Sequence, residues 1–153
     1  MKTKFADRIR KSFLYLETKY NFELIKSQKD PFGEYVLYKN STTAVQIRYE
    51  WREKKLFILL IRLINDQIPE YPHFIKLDTK LNHFYFDDVM TLVLNRPLKK
   101  NEMDSEMDFE KSIKFYSKAL EEYGRDILMG DFKVFSELEK LVKKRAADYE
   151  EHY

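Results

Sequence analysis

The chain has 153 residues, with 28 Lys and Arg against 26 Asp and Glu and a formal net charge of +2. Hydrophobic residues at 44%, charged residues at 35% and a mean hydropathy of -0.60 suit one domain spanning 1–153, with a buried core and a solvated surface, and argue against a membrane protein: the longest apolar run, Leu56 to Ile61, is far short of the roughly 20 residues of a spanning helix. The absence of Cys excludes disulfides, thiolate catalysis and cysteine-ligated metal centres, and the 3 isolated Gly, at 33, 124 and 130, cannot build a phosphate-cradling loop.

Residues 3–20 predict a helix. Phe5, Ile9, Phe13, Leu16 and Tyr20 recur at spacings of four and three, which puts them on one stripe, and Asn21 is a suitable stop. The period then changes. Residues 22–26 and 34–39 read as short strands about an Asp30-Pro31-Phe32-Gly33 turn, in which Pro presets φ and Gly adds backbone freedom. Asn40-Ser41 forms the next turn. Residues 43–51 alternate, with Thr43, Val45, Ile47, Tyr49 and Trp51 on one face and Ala44, Gln46, Arg48 and Glu50 on the other. That is a half-buried antiparallel strand. Residues 55–64 are apolar on both faces and predict a central strand paired with 43–51 through the short polar connection.

Residues 65–77 read as a loop containing Pro69 and Pro72. A short helix over 85–95 follows, with Asp87 or Asp88 as its cap. Arg96 to Met107 reads as an exposed linker. The acids Asp104, Glu106, Asp108 and Glu110 crowd the start of a long helix over 108–129, where carboxylates complement the positive end of the helix dipole. That helix is apolar at Phe109, Ile113, Tyr116, Leu120, Tyr123 and Ile127, with a bend expected at Gly124. Gly130 closes it in a left-handed conformation. Asp131 is expected to cap a final helix whose apolar side holds Val134, Leu138, Leu141 and Val142.

No catalytic constellation emerges from the residues. The 3 His, at 73, 83 and 152, lack metal-ligand spacing. No Ser has the glycine-flanked elbow of a hydrolase nucleophile. Asp87 and Asp88 are adjacent, so they diverge and would need partners from elsewhere to act as an acid–base pair. Lys4, Arg8 and Lys11 share one side of the first helix, and with Lys2 and Arg10 they are the alternative, nucleic-acid-contacting reading. Asp7 and Glu17 dilute that charge, and the sequence pI of about 8.5 stays below the basic range typical of such domains.

The stretch from Tyr116 to Leu138 contains Asp126-Ile127-Leu128-Met129-Gly130-Asp131-Phe132, followed by Phe135. It resembles a broad group of small bacterial proteins with a "DILxGDF" helix junction in their second half, some of them of immunity-protein type. The likeness covers about a quarter of the chain. It implies a protein that neutralises a toxin by binding it.

The expected fold is therefore α+β: an N-terminal helix, an antiparallel sheet of three or four strands, and C-terminal helices packed on the face carrying Val45, Ile47 and Tyr49. The expected function is a non-enzymatic, cofactor-free protein-binding module, immunity-type, with a protein partner rather than nucleic acid or membrane. The contact surface is expected at Gln46, Arg48 and Glu50, or on the acidic linker. The first residues carry charge with no apolar stretch behind them, so no secretory signal is expected and a cytoplasmic address follows.

Overall fold

Short polar turns between the first four strands leave no room for parallel crossovers, the fifth strand returns antiparallel after a longer loop, and the sheet is a meander. A computed structural model describes residues 5–96 and 108–151 of the chain. Two helical segments come first, α1 (Phe5–Ser12) and α2 (Tyr15–Thr18). The strands β1 (Glu23–Asp30), β2 (Gly33–Lys39), β3 (Thr43–Glu50), β4 (Lys55–Arg62) and β5 (His83–Tyr85) follow. Four helices complete the order: α3 (Phe86–Leu94), α4 (Phe109–Tyr123), α5 (Arg125–Leu128) and α6 (Phe135–Glu151). The strands form one sheet in the order β1-β2-β3-β4-β5, every neighbour antiparallel. The pairing expected of 43–51 with 55–64 is observed, with Ile47 opposite Ile58 and Arg48 opposite Phe57.

Turn chemistry sets this register. Asp30 Oδ1 accepts from the Phe32 and Gly33 amides at 2.8 and 3.0 Å, closing the β1–β2 hairpin. Gly33 lies opposite Glu50, and a Cβ there would run into the Tyr49 carbonyl oxygen. Asn40 Oδ1 accepts from the Thr42 and Thr43 amides in the same way, a side-chain mimic of a backbone turn.

The helices pack on one face of the sheet. Val36 and Tyr38 of β2, Val45 and Ile47 of β3, Leu56, Ile58 and Leu60 of β4 and Phe84 of β5 meet Phe5, Ile9, Phe86, Met90, Ile113, Leu120 and Leu138 from the helices in one buried cluster. The α+β arrangement expected from the sequence is thus the one adopted. The sheet has five strands rather than three or four because β5, three residues long, is too short to show an alternating pattern.

Several boundaries differ from expectation. The helix expected over 3–20 is broken after Ser12. The Ser12 carbonyl accepts from Ser117 Oγ, and the Leu16 amide turns to Phe13 instead, which rotates Leu16 and Tyr20 into the core. The helix expected over 108–129 stops at Gly124, where a Cβ would stand 2.8 Å from both the Leu120 carbonyl oxygen and its Cδ1. Asp108 caps α4 by accepting from the Lys111 amide. Asp104, Glu106 and the expected linker beyond Arg96 lie outside the described residues. Neither Asp87 nor Asp88 caps α3: Tyr85 is the N-cap, with no side-chain bond. Asp131 does not cap α6, which begins four residues later. Its carboxylate accepts from the Lys133 amide at 3.1 Å, a local turn that leads into the helix.

The "DILxGDF" junction has a structural role. Gly130 adopts φ +86 and would meet Thr42 if it carried a Cβ. Thr43 Oγ1 donates to the Ile127 carbonyl at 3.0 Å, and Asn40 Nδ2 to those of Tyr20 and Leu128. The β2–β3 turn thus gives the Leu128 carbonyl at the end of α5 a donor and adds a second one to the Ile127 carbonyl, which the Gly130 amide also reaches.

Candidate functional site

Alternation along β3 sends Val45 and Ile47 into the core, so Ala44, Gln46, Arg48 and Glu50 face outward. On the neighbouring strands Tyr35 and Leu37, then Phe57, Leu59 and Ile61, then His83 and Tyr85 share this outer face, because each pairs with an outward residue. No described helix packs there. One end of the face is apolar: Ala44, Ile61 and Leu63 are buried, with Leu37 and Leu59 against them. The loop after β4 comes back at this end, where Tyr71 meets the His83 ring edge-on at 5.2 Å. His83 is buried and its Nδ1 has no hydrogen-bond partner among the described residues. Burial lowers its pKa, against the opposing effect of a bond to the Pro69 carbonyl.

The other end is polar and aromatic. Arg48 donates through Nη1 to Asp30 Oδ2 at 2.8 Å, through Nη2 to Asp30 Oδ1 at 2.9 Å, and through Nε to Glu50 Oε1 at 2.7 Å. The planar fork of the guanidinium matches a carboxylate at two points. These bonds from Arg48, followed by the Phe32 amide, pull the Asp30 carboxyl down to about 2, and the carboxylates raise the Arg48 pKa in turn. The Arg48 side chain is 18% exposed, with the Tyr35 ring 5.9 Å from its guanidinium carbon. Phe57 and Tyr85 stand across from it, ring centroids 6.1 Å apart and planes at 63°. Gln46, Arg48, Glu50, Phe57, Leu59 and Tyr85 enclose a hollow of about 90 Å³. Tyr85 is 48% exposed. Its phenol pKa is raised, first by burial and then by Tyr71 and Glu50. Gln46, Arg48 and Glu50, singled out from the sequence, are therefore brought together. The sequence reading missed Asp30, Phe57 and Tyr85: Asp30 and Tyr85 lie on β1 and β5, which only the pairing order brings near Arg48, and Phe57 read as one apolar residue of a strand apolar on both faces.

A second polar cluster joins β4, α3 and α4. Tyr116 Oη donates to Asp87 Oδ1 at 2.9 Å and accepts from Lys55 Nζ at 3.0 Å, while Lys55 and Asp87 pair at 3.1 Å. Burial raises the Tyr116 pKa, with the neighbouring Asp87 adding to it. The phenol thus bridges Lys55 and Asp87. Asp88 diverges, as adjacent residues must, and pairs with Arg145 at 2.7 Å.

The basic first helix is largely neutralised. Arg8 pairs with Glu110 and lies over the Phe109 ring at 4.3 Å. Arg10 makes a forked pair with Glu17. Lys11 is exposed beside Lys114 and Asp7, and Lys4 lies outside the described residues. Among the described residues no group of three metal-ligating side chains converges. His73 is exposed beside Glu70, away from the buried His83, and His152 is outside the described residues. No described helix is long and apolar enough to cross a membrane.

No family model matches the chain, and comparison with curated proteins and with solved structures finds no match either.

Proposed function

We propose that the protein is a non-enzymatic binding module that docks a protein partner on the outer face of its sheet, as an immunity-type inhibitor of a toxin in the cytoplasm. One observation carries this reading: the described helices occupy the opposite face, and the polar end, which no described helix covers, presents an arginine already held in place between two carboxylates. Tyr and Arg are the residue types most enriched where binding energy concentrates. A side chain fixed before binding loses little rotamer freedom on association, which favours affinity. The "DILxGDF" resemblance supports the immunity-type assignment. The non-enzymatic part rests on the polar clusters being internally paired: Arg48 with Asp30 and Glu50, and Tyr116 with Lys55 and Asp87. Pairing of Arg8 and Arg10 with acids supports ranking nucleic-acid contact through Lys4, Arg8 and Lys11 behind the protein partner.

The test is co-expression with the product of a neighbouring toxin-like reading frame. The wild-type protein is expected to restore growth, and the Gln46→Arg, Tyr85→Ala double variant, folded by circular dichroism, is expected not to. Equal protection by the folded double variant would remove the outer face from the account.

A further inference from the structure

The hollow between β3, β4 and β5 has a charge and a shape that select what can enter it. Its lining combines two aromatic rings, Phe57 and Tyr85, with the side-chain amide of Gln46 and the carboxylate of Glu50. Arg48 contributes little free positive charge, because Nε, Nη1 and Nη2 are all directed at carboxylate oxygens. Two carboxylates against one guanidinium leave this network with one net negative charge; the nearby Lys55 ammonium, 5.3 Å from the Phe57 ring centroid, is paired with Asp87. Only one oxygen of Glu50 is engaged by Arg48. The other oxygen of Glu50 and the Gln46 amide have no hydrogen bond among the described residues.

Resting on the docking reading above, we propose that this pocket receives an arginine side chain of the partner protein. A guanidinium is planar and weakly hydrated, and it stacks on aromatic faces. Lying against Tyr85, with Phe57 at its edge, it would donate to the free Glu50 oxygen and to the Gln46 carbonyl oxygen while offsetting the excess negative charge. The hollow of about 90 Å³ has room for one such head group. Other side chains are disfavoured for stated reasons. A carboxylate would meet Asp30 and Glu50 with like charge. A leucine would cover the Glu50 and Gln46 acceptors without bonding them, which costs their desolvation. A lysine ammonium holds its water more strongly and cannot lie flat on the rings. The partner surface is thus basic where it meets β3.

The probes are blocked Gly-Arg-Gly, Gly-Lys-Gly and Gly-Leu-Gly peptides, titrated into the isotopically labelled full chain and followed by NMR at the Gln46 side-chain amide and the Leu59 methyls. The arginine peptide is expected to give saturable shifts with a millimolar Kd, several-fold tighter than the lysine peptide, and the leucine peptide none. Glu50→Gln should abolish the shifts, and Tyr85→Leu should weaken them several-fold, both with dispersed spectra. No response to the arginine peptide, an equal response to leucine or lysine, or wild-type binding by folded Glu50→Gln would overturn the assignment. If the arginine peptide is silent while the outer-face double variant still loses protection, the pocket assignment fails and the docking reading stands. If the peptide binds as expected while that variant still protects, the docking reading fails.

Discussion

Arg48 of β3 reaches the carboxylate of Asp30 at the end of β1 through two bonds, at 2.8 and 2.9 Å, although β2 lies between their strands. The same carboxylate accepts the Phe32 and Gly33 amides that close the β1–β2 turn. One acidic side chain therefore shapes the hairpin and orients the arginine.

The consequence is a defined acid sensitivity. The Asp30 carboxyl is held at about 2 in the folded chain, below the unfolded value of about 3.9. A depressed folded pKa contributes stability that is complete above the unfolded value and is lost as pH falls through the folded one. The Asp30 contribution should thus vanish between about pH 4 and pH 2. Urea midpoints measured across this window should fall less steeply in Asp30→Asn than in wild type. Parallel curves would show that Asp30 is not held as described.

Thr43→Val removes a buried hydroxyl with little change of shape. Thr43 Oγ1 is one of two donors to the Ile127 carbonyl, the Gly130 amide being the other, so the variant loses a buried bond without orphaning the acceptor. The expected loss is about 0.5–1.5 kcal/mol in chemical denaturation. Partner binding should persist in the folded population, because Thr43 faces the helices. An unchanged midpoint would mean that the β2–β3 turn does not hold the α5 end.

The two neighbours in "DILxGDF" should respond differently. Gly130→Ala forces a Cβ into a left-handed residue packed against Thr42, with an expected loss of about 1–2 kcal/mol or more. Asp131→Ala removes one exposed bond to the Lys133 amide and should cost only about 0.5–1 kcal/mol. If Asp131→Ala proved the more damaging, the assignment of a local turn rather than a helix cap would be wrong.

The legible parts of the fold were those with a long, regular pattern. Alternation in β3 and the apolar run in β4 were enough to orient the sheet and to group Gln46, Arg48 and Glu50. The stripe from Phe109 to Ile127 marked the helices, and Gly124 within it marked the place of their interruption, although as a bend rather than as the end of one helix and the start of another. Asp87 looked like a helix cap because Tyr116 and Lys55, its actual partners, are separated from it in sequence. Asp30 looked like a turn residue only. It is one, and its second role depends on an arginine two strands away.

Nucleic-acid contact through Lys4, Arg8 and Lys11 makes a separate prediction. A phosphate-binding helix would show affinity falling with salt at a log–log slope of about -0.7 to -0.9 per contact. With Arg8 engaged by Glu110 and Phe109, polarisation titrations with mixed-sequence RNA and DNA should show no such binding at physiological salt. Micromolar, salt-dependent binding that is lost in the triple Ala variant would place the first helix, not the sheet, at the centre of function.

The central claim is that the outer sheet face docks the partner, and calorimetric titration of the purified partner against face-specific variants tests it most directly. Arg48→Ala and Tyr85→Ala are each expected to weaken binding by tenfold or more, about 1.4 kcal/mol, while Lys140→Ala with Lys144→Ala on α6 leaves the Kd unchanged. Wild-type affinity in both folded outer-face variants, or a loss confined to the α6 variant, would contradict it.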